Sequence, residues 1–245
     1  MTDVDPILIV LAYSSLAAFA AALGVLPEVI YGRLSLPMLG WSNALASGLM
    51  LGVAYTLLTQ GLADGILQGG AGAVLGLVLV RVTHATTGTE NLDLNALDEM
   101  SPGYGYQVFL VNALHGAHEG VAIGAAMAVS LPFGISMALA LAVHNIPEAM
   151  VFTAILRGRG VRLPHAAALA VVSNVNQVLV SVVTFSVIGA VPSLMPWAIG
   201  FAVGALIYLV LVELLPESYR QAGHTSIALV TLVALGIVVG LGGAP

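Results

Sequence analysis

Three absences bound the chain before any motif is read. Cysteine is missing, which removes disulfides and thiolate chemistry. Lysine is missing too, so every fixed positive charge is one of six arginines, at 33, 81, 157, 159, 162 and 220. Charge of either sign is scarce: 7% of the 245 residues are charged, against about 25% in a typical soluble domain. The net charge of −6 and the lack of basic stretches exclude nucleic acid as an expected partner.

What fills the chain is apolar. Hydrophobic residues make up 59% of it and the mean hydropathy is +1.04. These values describe an all-α integral membrane protein whose first partner is the lipid bilayer. The opening "MTDVDP" is acidic and lacks the basic flank of a secretory signal, so the first apolar run reads as a retained span. A transmembrane helix needs about 20 mostly apolar residues. Dividing the sequence on that rule gives eight spans: 6–26, 38–62, 65–82, 104–130, 133–156, 164–190, 194–216 and 225–242. The third, "GILQGGAGAVLGLVLV", is short, and its Gly72 and Gly76 would let a neighbouring helix come close. All six arginines then fall at odd-numbered connections. Loop arginines mark the cytoplasmic side, so the reading is an eight-helix bundle, one transmembrane domain over 1–245, with both termini extracytoplasmic. Residues 83–103 form its one long cytoplasmic loop. His84, Glu90, Asp93, Asp98 and Glu99 in that loop are either transient metal ligands or a solvated acidic linker.

Ionisable groups inside a bilayer usually face a cavity and mark a pathway or a site. Here they are concentrated. Span four carries Asn112, His115, His118 and Glu119, and span five carries His144, Asn145 and Glu148. Offsets of three and four put His115, His118 and Glu119 on one helix face. The two spans are joined by the short turn "SLPFG", 130–134. Glu119 lies 13 residues before Pro132 and His144 lies 12 after it; His115 lies 17 before and Glu148 lies 16 after. At about 1.5 Å per residue, Glu119 levels with His144 and His115 with Glu148. Two imidazoles and two carboxylates converging at mid-membrane suit a borderline divalent cation such as Zn²⁺. Taken singly, each group has a plainer role, as an interhelical hydrogen-bond partner or a protonated structural acid. His118 is a ligand, an outer partner or a packing residue.

Other polar residues remain around this core. Pro147 either kinks span five structurally or opens backbone toward a polar cavity. In "SNVNQ", Asn174 and Gln177 either face the same cavity or glue helices together. Glu213 suits an inner exit and Glu217 an interfacial position. Asp64, near the outer end of span two, and Asp3 and Asp5 are each either a part of the entrance or a solvated end.

These residues resemble the ZIP (Zrt/Irt-like) family of divalent metal transporters, in its prokaryotic form. "HNIPEA" at 144–149 is very close to the family's H-N-x-P-E-G, and "HGAHEGVAIG" at 115–124 is similar to its span-four counterpart. "ALIYLVLVELLPE" at 205–217 and "ASGLMLGVAY" at 46–55 look like its spans seven and two. The resemblance implies His115, Glu119, His144 and Glu148 as primary ligands, with a pathway between spans two, four, five and seven. Members with two bound metals add an Asn after the span-four His, its span-five equivalent and a span-six Glu. Those places hold Gly116, Asn145 and Gln177 here, which implies one well-formed site with Asn145 and Gln177 as further candidate ligands. The family's span-two Glu is also missing from "YTLLTQ".

The expected function is movement of Zn²⁺, or of Fe²⁺, Mn²⁺ or Cd²⁺, toward the cytoplasm as transported substrate. No resident cofactor and no enzymatic step are expected. The expected location is the cell membrane, as a multi-pass protein of a bacterial inner membrane, with a homodimer as candidate assembly. Two other classes compete. An intramembrane metal-dependent hydrolase would use the same ligands to activate water, although H-E-x-x-H is absent. A metal-binding membrane sensor would bind without flux.

Overall fold

The computed structural model describes residues 4–61, 65–87 and 102–242. Asp3, Asp64, Glu90, Asp93, Asp98 and Glu99 therefore lie outside the described residues. The chain is all helix among those described, in the order α1 (Pro6–Ala20), a 3₁₀ turn (Ala21–Val25), α2 (Leu26–Tyr31), α3 (Leu36–Gly61), α4 (Ile66–Thr87), α5 (Pro102–Val129) and α6 (Leu131–Gly158). Then come α7 (Leu163–Ser173), α8 (Val175–Ala190), a short 3₁₀ turn (Pro192–Leu194), α9 (Met195–Leu209), a π-helical turn (Val210–Leu214), α10 (Leu215–Gln221) and α11 (His224–Gly242).

Local chemistry sets the ends. Proline at the first or second helical position opens α1, α6, α7 and α9, where a missing N–H costs nothing. The side chain of Asp5 caps α1 by accepting from the Ile7 N–H, and Ser130 caps α6 by accepting from Phe133. Gly32, at φ +75°, ends α2 where a side chain would be strained. The widened turn at Val210–Leu214 precedes Pro216, whose ring cannot fit under a regular helical carbonyl.

Among the described residues seven helical stretches are long and apolar enough to cross a membrane. The eighth expected span, α5, has the length, and Asn112, His115, His118 and Glu119 are what dilute its apolar character. The chain is thus a multi-pass membrane bundle. One expectation needs correcting. Helix α4 runs on through Thr87, so His84 belongs to the helix and not to the 83–103 loop. Glu217, expected at the cytoplasmic edge, is 1% exposed within the protein, accepting from Gln221 Nε2 at 2.7 Å and from Arg220 one turn on. That neighbouring guanidinium offsets the cost of burying the carboxylate.

Helices α3 and α6 sit centrally, with 72% and 67% of their apolar windows buried; α4 and α11 are peripheral at 22% each. Outward residues such as Leu75, Val78, Leu232 and Val233 face the surroundings, as lipid requires. The expected close approach at Gly72 and Gly76 is made by α9. A Cβ on Gly76 would lie 2.2 Å from the Phe201 carbonyl, and one on Gly200 would lie 1.9 Å from that of Gly69. This glycine seam locks α4 to α9 and so positions His84 beside the π turn.

Candidate metal centre

The antiparallel register of α5 and α6 brings together the side chains that their sequence levels pair. His144 Nε2 lies 2.9 Å from Glu119 Oε1 and 3.7 Å from Glu148 Oε2, while His115 Nδ1 lies 4.0 Å from Glu148 Oε1. Glu119, His144 and Glu148 each offer a ligand atom within 4.8 Å of the others. His115 borders that trio through Glu148. All four are buried, and Glu119 and His144 have no exposure at all.

Helix α3, the other central helix, decides the tautomer of His144. Its Nδ1 lies 3.0 Å from the Ala46 carbonyl, which can only accept, so Nδ1 carries a proton and the neutral ring presents its lone pair at Nε2. Nε2 faces a carboxylate oxygen. Neither His144 Nε2 nor Glu119 Oε1 has a hydrogen-bond donor among the described residues, and His115 Nε2 is likewise unpartnered. Two acceptors held 2.9 Å apart in a dry interior repel unless a proton or a cation sits between them. A borderline divalent cation satisfies such nitrogen and oxygen donors together.

The flanking residues divide. Asn112 Nδ2 donates to Ser173 Oγ at 2.8 Å and Asn176 Nδ2 to the Ala113 carbonyl at 3.3 Å, which joins α5 to α7 and α8. Asn174 occupies the break between α7 and α8; its Nδ2 donates to the Ala170 carbonyl and its Oδ1 is buried without a donor. His118 is outside the trio, its ring against Phe201 with centroids 6.2 Å apart. Asn145 and Gln177 are both fully buried behind Glu119. Helix α6 runs unbroken through Pro147, whose carbonyl accepts from Ser42 Oγ at 2.8 Å.

A cavity of about 50 Å³ opens beside Glu148, lined by Asn43, Asn112, His115 and Glu213 and by apolar residues including Val108, Val151, Phe152 and Ile155. Beside it, His84 Nε2 lies 3.3 Å from Glu213 Oε1. The sequence reading missed this pair, having ended the third span at residue 82. A signal was there: Gly72, Gly76, Val80 and His84 recur every four residues as one buried stripe.

Comparison with known proteins follows the same residues. The family model described as ZIP zinc transporter matches residues 83–243. The chain belongs to the ZIP zinc transporter family. Its relatives include the zinc transporter GufA of Myxococcus xanthus, 30% identical over 221 residues, covering 84% of this chain and 87% of the relative. An Arabidopsis thaliana protein named for zinc transport is 29% identical over 221 residues; the match covers 86% of this chain but 35% of that protein. The zinc transporter ZIPB of Bordetella bronchiseptica is 31% identical over 122 residues, covering 49% of this chain and 39% of the relative. ZIP membership is membership of a transporter family and not of an enzyme family, which favours metal transport over the intramembrane hydrolase.

Proposed function

We propose that this ZIP protein carries Zn²⁺ toward the cytoplasm, with His115, Glu119, His144 and Glu148 as the ligands that replace the ion's water. The observation that carries the reading is the 2.9 Å approach of His144 Nε2 to Glu119 Oε1 in a buried cluster with Glu148, with the His144 ring held by the Ala46 carbonyl. The two carboxylates supply the negative charge that makes a divalent ion tolerable in the membrane interior. From the trio, the cavity past His115 and Asn112 toward Glu213 and His84 is the exit route. Fe²⁺, Mn²⁺ and Cd²⁺ suit the same donors, and we place Zn²⁺ first because relatives are named for it. We further propose one transmembrane domain of eight spans, both termini extracytoplasmic, in a bacterial inner membrane and with a homodimer as assembly. The six arginines at one set of connections support that orientation.

The test is metal uptake into proteoliposomes. The His144→Ala, Glu148→Ala double variant is expected to fall to the level of empty vesicles, and wild-type flux from it would refute the site. Protons compete with the metal for these ligands, so apparent affinity is expected to weaken as the pH on the entry side falls.

A further inference from the structure

The structure assigns to Gln177 a role on Glu119 and not on the ion: we infer that it is the positioning residue that makes Glu119 a one-oxygen ligand. The inference rests on the metal-carrier reading. It is drawn from a chain of three fully buried side chains, from Asn145 through Gln177 to Glu119. Asn145 Nδ2 donates to the Ala17 carbonyl at 2.8 Å and to Gln177 Oε1 at 3.0 Å. Gln177 Nε2 then donates to Glu119 Oε2 at 3.0 Å.

The direction of this chain is forced from its far end. A backbone carbonyl can only accept, so Ala17 requires the NH₂ group of Asn145 to face it. The second hydrogen of that NH₂ meets Gln177, which must therefore turn its oxygen toward Asn145. Its own NH₂ is left for Glu119. Turning either amide over would press two oxygens together in a buried site. Glu119 thus has Oε2 engaged by a donor, and Oε1 is the oxygen that faces His144 Nε2 at 2.9 Å.

The backbone makes room for this contact. Glycines flank Glu119 at positions 116 and 120. A Cβ on Gly120 would lie 2.6 Å from the Gln177 carbonyl, and one on Gly116 would lie 3.0 Å from Asn174 Oδ1. A side chain at 120 would push α8 off α5 and take Gln177 out of reach, while one at 116 would crowd only the Asn174 side chain. Binding the ion through Gln177 Oε1 would instead strip Asn145 of one of its two acceptors. Held by one oxygen, Glu119 leaves space in the coordination shell for Glu148 and His115.

Co²⁺ reports coordination directly, because four-coordinate Co²⁺ absorbs visible light far more strongly than five- or six-coordinate Co²⁺. Purified full-length protein is titrated with Co²⁺ as wild type, Gln177→Met and Gln177→Glu. Gln177→Met keeps the length and removes the donor. It is expected to lose visible intensity severalfold, as Glu119 closes on the ion with both oxygens, and to bind Co²⁺ about 10–100-fold more weakly. Gln177→Glu is expected to weaken binding as well, since it sets a carboxylate against Glu119 Oε2. Asn145→Ala, which leaves Gln177 present but unaimed, is expected to give a smaller spectral change of the same kind, and serves where Gln177→Met does not fold. An unchanged spectrum in Gln177→Met or in Asn145→Ala overturns the inference, as does tighter Co²⁺ binding by Gln177→Glu, the mark of a direct ligand. Wild-type protein that binds no Co²⁺ overturns the carrier reading itself, which separates the two failures.

Discussion

The two ends of the α5–α6 pair are built from opposite materials. Toward the "SLPFG" turn, Ile123 and Met127 follow Glu119 at successive turns of its face, and Leu141 and Met137 lead to His144; all four are buried and apolar. Toward the other end the same faces carry Asn112, His115 and Glu148, then a cavity, then the Glu213–His84 pair. The site is therefore packed with hydrocarbon on one side and borders, on the other, a small cavity that mixes Asn43, Asn112, His115, Glu148 and Glu213 with apolar walls such as Val151 and Phe152. Among the described residues of this pair, an ion held by Glu119 and His144 has donors leading toward the end that bears the arginines and none toward the turn.

The comparison can be broken from the polar end first. Glu213→Gln removes a carboxylate from the proposed exit route without touching the trio. Maximal flux in proteoliposomes is expected to fall severalfold, while the Zn²⁺ affinity of purified protein, read by calorimetry, stays near wild type. A parallel loss of affinity would place Glu213 in the central site. Next comes the sealed end. A Cβ on Gly134 would lie 2.4 Å from Met127 Cα, so Gly134→Ala must spread backbone and not merely a flexible side chain. The cost expected is about 1–3 kcal/mol, read as a lower unfolding midpoint in detergent. The smallest effect is expected at Ser42→Ala, which removes one donor to the Pro147 carbonyl for about 0.5–1.5 kcal/mol. An unfolding midpoint equal to wild type would show that this contact adds nothing to the frame around His144.

Much of this was legible in the residues, and the reason is periodicity. Span limits followed from apolar run length, and the structure moved most of them by only a few residues. The pairing of Glu119 with His144 and of His115 with Glu148 followed from counting outward from one short turn. What was missed has the same physical origin. Apolar run length does not say where a helix ends when polar residues continue it, so His84 was assigned to a loop. Nor does it say that Glu217 is buried, since that depends on Arg220 and Gln221 folding onto it.

By themselves, then, the residues determined a membrane bundle, the two helices that carry the His and Glu pairs and the level at which those side chains meet. Run length, register and charge are properties of a chain and of its nearest turns. Only the tertiary structure decided how those donors are aimed. The Ala46 carbonyl that selects the His144 tautomer and the Ala17 carbonyl that orients Asn145 and Gln177 belong to helices far away in sequence. Backbone carbonyls are the same at every residue, so no side-chain pattern reveals which of them will meet a ligand; packing alone brings them there.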